Sequence, residues 1–254
     1  MIRIILSGCN GHMGEVVSRC ARERGDVVVA GIDPNTQSRE GYPVFLSADQ
    51  CAAQADVIID FSHPSALEGL LSLSRRTGIP LVVATTGMSP EQIQRIHQAS
   101  AEIPVFFTAN MSLGVNLLTE LAKTAVRVLG SGFDIEIIEK HHNRKLDAPS
   151  GTALMLADAI APVMEEADPV YVYERHSKRE KRRKNEIGLH SIRGGTMVGE
   201  HEVLFAGRDE VVSLTHIASS RDIFATGALS AAAYMVGKQP GLYSMKELIA
   251  SAEG

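Results

Sequence analysis

Three evenly spaced glycines near the start of the chain constrain its fold more than any other feature. Gly8, Gly11 and Gly14 follow a short apolar run at residues 2–6 and precede an amphipathic segment that ends at Gly25. Glycine permits a tight turn between a strand and a helix, and it lets the helix pack closely against the strand. This GxxGxxG spacing, a variant of GxGxxG, therefore predicts the first strand, turn and helix of a βαβ unit.

The same alternation of strands and helices continues to about residue 107. Short apolar runs at residues 27–32, 57–60, 80–84 and 104–107 predict further strands. Pro64 and Gly78 mark the start and end of one helix, and a capping-box pattern from Ser89 to Gln92 opens another near residues 93–101. Strands that alternate with helices predict a doubly wound, Rossmann-type α/β domain with a parallel sheet.

The pattern changes after residue 111. A helix at residues 114–129, a strand at 133–139 and a helix after Ser150 precede three strands at 189–193, 201–206 and 210–216. Strands in such close succession favour a mixed or antiparallel sheet, hence a second, α+β domain. Ala-rich helices at residues 223–236 and 245–251 are expected to return to the first domain. The predicted domains are residues 1–111 with 222–254, and residues 112–221.

Composition excludes several classes of protein. The formal net charge is −5 over 254 residues, which gives no overall bias toward nucleic acid or membrane lipids. No apolar run is long enough to cross a bilayer, and the N-terminus lacks the pattern of a signal peptide, so a cytoplasmic protein is expected. The three cysteines have no CxxC spacing and no histidine at a metal-ligand spacing, so neither a disulfide framework nor a metal site is predicted.

The glycine turn also predicts a ligand. Backbone N–H groups at the positive end of the first helix are suited to the pyrophosphate of a dinucleotide. Asp33 ends the second strand, where an acidic residue typically binds the adenosine ribose and repels a 2′-phosphate, so NADH is favoured over NADPH. Arg39 is the nearest downstream cation that could offset this repulsion. The alternatives are a glycine turn without a ligand and, for Asp33, a turn residue before Pro34.

Further turns follow the later strands, at residues 60–64, 84–87 and 109–112. In a doubly wound sheet, ligands bind at the carboxyl ends of the strands, so these turns are expected to line the nicotinamide half of the cofactor site. Each of them taken alone could equally be a plain surface turn.

The segment from residue 139 to residue 153 carries the densest chemistry of the chain. Ser150 is a good N-cap, so the N–H groups of Gly151 and Thr152 would point outward at the positive end of a helix and bind a carboxylate or phosphate. Several proton donors precede this helix, namely His141, His142, Arg144 and Lys145. Because histidine titrates near neutral pH, the set suits a small anionic substrate that takes up a proton and a hydride. The alternative is a solvated basic loop.

With these motifs in place, the chain resembles the family of 4-hydroxy-tetrahydrodipicolinate reductase, also called dihydrodipicolinate reductase. The most specific motif is His-His-x-x-Lys-x-Asp-Ala-Pro-Ser-Gly-Thr, which begins at His141. The resemblance covers nearly the whole chain. Its shorter matches are the glycine turn with Met13, the Asp60-Phe61 turn, and residues 85–87, 193–195, 199–201 and 218–221.

The resemblance implies an activity and a role for each matching residue. The reaction is the NAD(P)H-dependent reduction of a dicarboxylate, 4-hydroxy-tetrahydrodipicolinate, to tetrahydrodipicolinate in diaminopimelate and lysine biosynthesis. His141 is then the proton donor and Lys145 the second catalytic residue. The implied substrate contacts are His142, Gly151 and Thr152. The implied cofactor contacts are Gly8, Cys9, Asn10, Gly11, His12, Met13, Asp33, Ala84, Thr85, Thr86, Ala109, Asn110, Met111 and Ser112.

The resemblance also implies a function for each domain. The first would bind the dinucleotide, and the second would bind the substrate and form a homotetramer through its sheet. His12 and Pro34 stand where many members carry a basic residue, so two partners for a 2′-phosphate are missing. Ala84 replaces a more usual glycine without an expected consequence. We therefore expect NADH to be preferred, with NADPH as the second cofactor.

Residues 175–184 form a dense basic run that could bind nucleic acid or an acidic partner. Because no aromatic residues are interleaved, a solvated, mobile loop that attracts an anionic substrate is the favoured interpretation. Two other functions stay open for the whole chain: a nicotinamide dehydrogenase of another small anionic substrate, and a non-catalytic NAD-binding sensor. The segment 141–152 argues against the first, and the presence of both His141 and Lys145 argues against the second.

Overall fold

The computed structural model describes residues 1–38 and 41–252, and the chain divides into two compact units. The first unit comprises Met1–Leu113 and Asp222–Gly254, and the second comprises Gly114–Arg221. Among the described residues, no helix is long and apolar enough to cross a membrane.

Strands and helices alternate along most of the described chain. In order they are β1 (Arg3–Ser7), α1 (His12–Arg24), β2 (Val27–Ile32), β3 (Val44–Phe45), β4 (Val57–Asp60), α2 (Leu67–Thr77), β5 (Leu81–Val83), α3 (Pro90–Ala99), β6 (Pro104–Phe107), α4 (Leu113–Leu129), β7 (Asp134–His141), α5 (Gly151–Ile160), β8 (Val170–Val172), β9 (Glu186–Arg193), β10 (Gly199–Ala206), β11 (Val211–Ala218), α6 (Asp222–Met235), β12 (Gly241–Tyr243) and α7 (Met245–Ala250).

A parallel sheet of seven strands forms the centre of the first unit, in the order β12-β6-β5-β4-β1-β2-β3. Alternate side chains of each strand point to opposite faces of the sheet. On β1, Ile4 and Leu6 pack in one core with α1 and α6, whereas Ile5 packs in a second core with α2 and α3. Helices therefore cover both faces, which confirms the predicted doubly wound sheet and the return of the Ala-rich helix α6.

The helix ends follow the sequence signals. Gly25 ends α1 with φ 80°, and its N–H donates to the carbonyls of Ala21 and Arg22. Ser89 and Gln92 form the predicted reciprocal capping box at the start of α3. These caps fix where each helix leaves the sheet, and they therefore position the turns between strands and helices.

A mixed sheet of five strands forms the second unit, in the order β11-β10-β7-β9-β8. β10 runs antiparallel to β7 and β11, whereas β9 is parallel to β7 and β8. One face packs against α4 and α5 through buried apolar side chains that include Ile137 and Phe205. On the other face of the outermost strand β11, Val211 and Ile217 are 60% and 66% exposed. The mixed sheet that the sequence predicts is confirmed.

Three short strands were not predicted: β3, β8 and β12. β7 also extends two residues further than expected, to His141, because its backbone pairs with β9 and β10 up to that end.

The basic run at residues 175–184 is a loop in which every residue except Arg182 is exposed, as expected for a solvated loop, but two of its arginines form ion pairs with side chains of the sheet. Arg175 lies 2.8 Å from Glu136 and 2.7 Å from Glu186, and Arg182 lies 3.0 Å from Glu136. Two of its arginines are therefore bound to acidic side chains of β7 and β9, which neutralise part of its charge.

Candidate active site

The glycine turn begins with a residue in the left-handed backbone region. Gly8 has φ 77°, its N–H donates to the carbonyl of Ile32 at 2.8 Å, and its carbonyl accepts the N–H of Gly11 at 3.1 Å. A Cβ at Gly8 would lie 2.6 Å from the carbonyl oxygen of Phe61. A side chain at this position would therefore be strained both by its backbone angle and by a backbone neighbour that cannot swing away.

The other two glycines of the turn have different roles. A Cβ at Gly14 would overlap the carbonyl oxygens of Gly8 and Cys9, so this glycine lets α1 approach the turn. Gly11 is the N-cap of α1 with an ordinary φ of −78°, and as a glycine it has no side chain that could cap the helix. The N–H groups of the first turn of α1 are thus available for an anionic ligand.

Two predicted contacts of this turn differ in exposure. The side chain of Cys9 is only 1% exposed and belongs to the apolar core, where burial raises the pKa of its thiol to about 11. Only the backbone of Cys9 can therefore face a ligand, whereas the side chain of His12 is exposed.

Asp33 lies just beyond β2 and is tied to the glycine turn. Its carboxylate accepts the N–H of Asn10 at 3.1 Å and the N–H of Asn35 at 2.9 Å. A cavity of about 210 Å³ lies beside it, and its lining includes Pro34 and Leu46. This is where an adenosine would sit if Asp33 bound its ribose. Arg39, the candidate cation, lies outside the described residues.

A larger cavity, of about 380 Å³, lies at the carboxyl ends of the strands of the first unit. It brings together the three turns that the sequence singled out. Its lining comprises Met13, Phe61, Ser62, Ala84, Thr85, Thr86, Thr108, Ala109, Asn110, Met111 and Phe224. Thr108 and Phe224 had not been predicted to lie here. Ser112 lies outside this lining: its side chain is buried and its N–H donates to the side chain of Asn110 at 2.9 Å.

Asp60, at the end of β4, holds two of these turns together. Its carboxylate is fully buried and accepts hydrogen bonds from Oγ of Ser62 at 2.5 Å and from Oγ1 of Thr85 at 2.8 Å. Burial raises the pKa of Asp60, and these hydrogen bonds oppose the rise. The glycine turn, the cavity at Asp33 and the cavity over Asp60 all lie in the first unit, and Ser62 lines both cavities.

The second group of predicted residues lies in the second unit, at the end of β7. Glu139 and His141 alternate with more exposed positions, so both point to the buried face of the strand. His141 is 8% exposed, and its Nδ1 lies 2.5 Å from Oε2 of Glu139. A Cβ at Gly199 would lie 3.1 Å from Nε2 of the same ring, so a side chain at this position would crowd that nitrogen.

Glu139 is a completely buried carboxylate with several donors around it. Arg193 donates to both of its oxygens, at 2.8 and 2.6 Å, and the N–H of Ser150 donates at 3.1 Å. Burial alone would raise the pKa of Glu139, but the hydrogen bonds from Arg193, Ser191 and His141 outweigh it and lower the pKa to about 2. The side chain is therefore ionised throughout the physiological range.

The start of α5 is joined to the same cluster. Oγ of Ser150 accepts the N–H of Ala153 at 3.2 Å, which confirms the predicted N-cap, and it lies 2.9 Å from Nε2 of His201. The His201 ring meets the His141 ring edge-on, with centroids 5.2 Å apart. Burial, and then the neighbouring His141, lower the pKa of His201 to about 4, so it stays neutral.

Lys145 and the remaining substrate contacts flank this cluster. Nζ of Lys145 lies 2.8 Å from Asp147, and this hydrogen bond lowers the pKa of the Asp147 carboxyl. Nδ1 of His142 is buried and has no hydrogen-bond partner among the residues that the structure describes. Gly151 and Thr152 are the first two residues of α5, where backbone N–H groups face outward. Several hydrogen-bond donors thus lie around the end of β7: the side chains of Lys145 and His142, and the backbone N–H groups at the start of α5.

Comparison with known proteins identifies the family. Residues 2–111 match the model described as "Dihydrodipicolinate reductase, N-terminus", and residues 114–249 match the model of the C-terminus. The chain belongs to the dihydrodipicolinate reductase family. A relative from Caldanaerobacter subterraneus subsp. tengcongensis, named 4-hydroxy-tetrahydrodipicolinate reductase, is 52% identical over 250 residues, which are 98% of each chain. A relative of the same name from Clostridium novyi is 49% identical over 252 residues, or 99% of each chain.

Solved structures agree with this membership. The dipicolinate-bound dihydrodipicolinate reductase from Paenisporosarcina sp. TG-14 aligns with a TM-score of 0.79 at 26% identity, over 96% of this chain and 97% of that one. The WlbA dehydrogenase from Thermus thermophilus, solved with NAD and UDP-GlcNAcA, aligns with a TM-score of 0.56 at 15% identity, over 98% of this chain and 91% of that one. The second likeness shows the fold alone.

Four residues of the site have no role that the sequence alone predicted: Glu139, Arg193, Gly199 and His201. One signal was available, because Glu139 falls on the inward-facing positions of an alternating strand, where an unpaired carboxylate would be costly. Its partner Arg193 lies 54 positions further along the chain. No local pattern relates them. Among the described residues, no group of His, Cys, Asp and Glu is arranged to hold a metal ion.

Proposed function

We propose that this protein reduces 4-hydroxy-tetrahydrodipicolinate to tetrahydrodipicolinate with NAD(P)H, and that His141 supplies the proton. The observation that carries the proposal is the cluster at the end of β7, where a histidine held by a buried carboxylate lies close to the start of α5. Full-length relatives that bear the name of this reductase support the same reaction.

The first unit is the proposed dinucleotide-binding domain. The turn from Gly8 to Met13 would hold the pyrophosphate, Asp33 the adenosine ribose, and residues 84–86 and 109–112 the nicotinamide half. Bound there, the cofactor supplies the hydride. The carboxylate of Asp33 and the absence of a basic side chain at Pro34 favour NADH, because a 2′-phosphate would meet a like charge.

The second unit is the proposed substrate-binding domain. The substrate carries two carboxylates, and one of them would be bound by the N–H groups of Gly151 and Thr152 at the positive end of α5. Lys145 would add a charge-assisted hydrogen bond to the same molecule after leaving Asp147. The buried Nδ1 of His142 has no hydrogen-bond partner in the described part of the chain, which supports its role as a further polar contact.

His141 would complete the reaction. The 4-hydroxyl group leaves as water, hydride adds to the unsaturated ring, and the ring must then take up a proton, for which Nε2 of His141 is the proposed donor because Glu139 occupies Nδ1. Positioned general acids accelerate such steps by about 10²–10⁴-fold. Lys145, the second catalytic residue, would hold the developing negative charge close to this ring.

The same family membership supports a homotetramer and a role in diaminopimelate and lysine biosynthesis in the cytoplasm. The second sheet would form the subunit contact through its face away from α4 and α5. Val211 and Ile217 on that face expose apolar surface that such a contact would bury.

A coupled assay tests the proposal. The substrate is produced in situ from pyruvate and aspartate semialdehyde by the preceding synthase, and the oxidation of NADH and NADPH is followed in parallel. We expect rapid oxidation that depends on both enzymes, with the higher kcat/KM for NADH. Absence of oxidation by a protein that binds NADH would exclude this substrate, and a large preference for NADPH would exclude the proposed role of Asp33.

A further inference from the structure

The two nitrogens of the His141 ring have opposite surroundings. Nδ1 lies 2.5 Å from a carboxylate oxygen of Glu139, inside the second unit. Nε2 lies beside Gly199, which has no side chain; a Cβ there would approach this nitrogen to 3.1 Å. Because Glu139 occupies Nδ1, Nε2 is the nitrogen that remains for a substrate. Whether Nδ1 carries a hydrogen decides whether Nε2 of the neutral ring is an acceptor or a donor.

Glu139 is suited to fix the state of Nδ1. An ionised carboxylate has only acceptors, so the hydrogen atom between the two groups belongs to Nδ1. The two hydrogen bonds from Arg193 keep Glu139 ionised although it is completely buried, as its pKa of about 2 reflects. Glu139 therefore holds the Nδ1 hydrogen without removing it from the ring.

The ring of His201 is a second neighbour of the His141 ring. It stands edge-on to His141 at 5.2 Å between centroids, and Ser150 holds it through Nε2. With a pKa of about 4, His201 is neutral near pH 7 and adds no positive charge beside His141. The ring of His141 is thus held by a charged acceptor at Nδ1 and packed against a neutral ring.

We propose that Glu139 is a positioning residue for the reaction: it keeps the hydrogen on Nδ1 of His141, so that Nε2 is the nitrogen that delivers the proton. The inference rests on the proposed function. In the step, the substrate has lost its 4-hydroxyl group as water, so hydride adds to an unsaturated ring. The Nε2–H bond then breaks, and its proton forms a C–H bond with the electron pair that hydride addition leaves on that ring. The ring becomes neutral with its hydrogen on Nδ1, and Nε2 regains a proton from water.

Kinetics separate this role from a purely structural one. Glu139→Gln keeps the shape of the side chain, but its amide can donate as well as accept, so the hydrogen on Nδ1 is no longer enforced. We expect kcat to fall about 100-fold, since most of the general-acid contribution is lost. The KM for the substrate and the Kd for NADH should change less than about threefold, that is by under about 1 kcal/mol.

Glu136→Gln is the matched control. Glu136 lies on the same strand and also contacts arginines and a histidine: Arg175, Arg182 and His190. An even-numbered position of β7 faces away from His141, so this variant should retain the wild-type kcat. Size-exclusion chromatography and thermal unfolding of both variants confirm assembly and folding. Wild-type kcat in folded Glu139→Gln would overturn the inference.

Nitrogen NMR of protein labelled with ¹⁵N-histidine gives a readout that needs no turnover. The His141 signals are assigned by their loss in His141→Gln, and the spectrum is recorded where the ring is neutral. We expect the hydrogen on Nδ1 in the wild type, whereas a hydrogen on Nε2 would overturn the inference even if Glu139→Gln failed to fold. An Nδ1 hydrogen in a wild-type protein without activity in the coupled assay would instead reject the proposed function alone.

Discussion

Replacing Gly8 by alanine should destabilise the first unit strongly. Two costs add at this position. A non-glycine residue at φ 77° costs about 1–2 kcal/mol. The new Cβ would also lie 2.6 Å from the carbonyl oxygen and 2.8 Å from the carbonyl carbon of Phe61, and such overpacking costs about 1–3 kcal/mol. The sum of about 2–5 kcal/mol corresponds to a fall in Tm of about 4–20 °C for a protein of this size.

Two further glycines make this a controlled series. Gly78 has φ 71° but no atom within 4 Å of the position that a Cβ would take, so Gly78→Ala should cost only the backbone contribution of about 1–2 kcal/mol. Gly11 has an ordinary φ, and its Cβ would approach only the carbonyl of Gly8, at 3.3 Å. Gly11→Ala should therefore lower Tm less than Gly8→Ala does, but weaken NADH binding about tenfold or more, because its Cβ would stand where the pyrophosphate approaches.

Thermal unfolding by circular dichroism and NADH titration by fluorescence measure both effects for the three variants. The reasoning would be refuted if Gly8→Ala lowered Tm no more than Gly78→Ala. If Gly11→Ala and the wild type bound NADH with equal affinity, the proposal that the pyrophosphate binds at the glycine turn would be wrong.

The remaining predictions concern charged side chains. Lys145→Ala should raise the KM for the substrate about tenfold or more and lower kcat, whereas Lys140→Ala, which breaks only the pair with Glu200, should change neither in the coupled assay. Asp33→Ser should shift the ratio of kcat/KM for NADPH to that for NADH upward by about tenfold or more, since a like charge near the 2′-phosphate is removed; an unchanged ratio would contradict this. The pKa of Glu139 falls from 4.5 to about 2 on folding. Its ionised carboxylate therefore contributes about 3 kcal/mol to the free energy of unfolding above pH 4.5, and this contribution is lost as the pH falls toward 2. Denaturant titrations at about pH 7 and about pH 3 should therefore show a larger loss of stability for the wild type than for Glu139→Gln.

The central strands could be predicted from the sequence because burial on both faces leaves continuous apolar runs. β2, β4 and β6 have the bounds that the apolar runs predict. The strands β3, β8 and β12 could not be found in this way. They have only two or three residues each and lie at the edges of their sheets, and so short a segment shows no periodicity.

In the candidate site, too, features formed by residues close in sequence could be predicted, whereas contacts between residues distant in sequence could not. The glycine turn and the N-cap at Ser150 are local, and the sequence predicts their geometry. The pairing of Glu139 with Arg193 joins β7 to β9 in a parallel register that only the folded sheet creates. The same holds for Arg182, which the sequence places in a basic loop and the fold binds to Glu136.

The most direct test of the account is the effect of His141→Gln on turnover and on cofactor binding, measured side by side. His97→Gln, at an exposed position of α3, is the control. We expect His141→Gln to lower kcat by about 10²–10⁴-fold while the Kd for NADH stays within about twofold of the wild type. Turnover at the wild-type rate in His141→Gln would contradict the proposal that His141 supplies the proton.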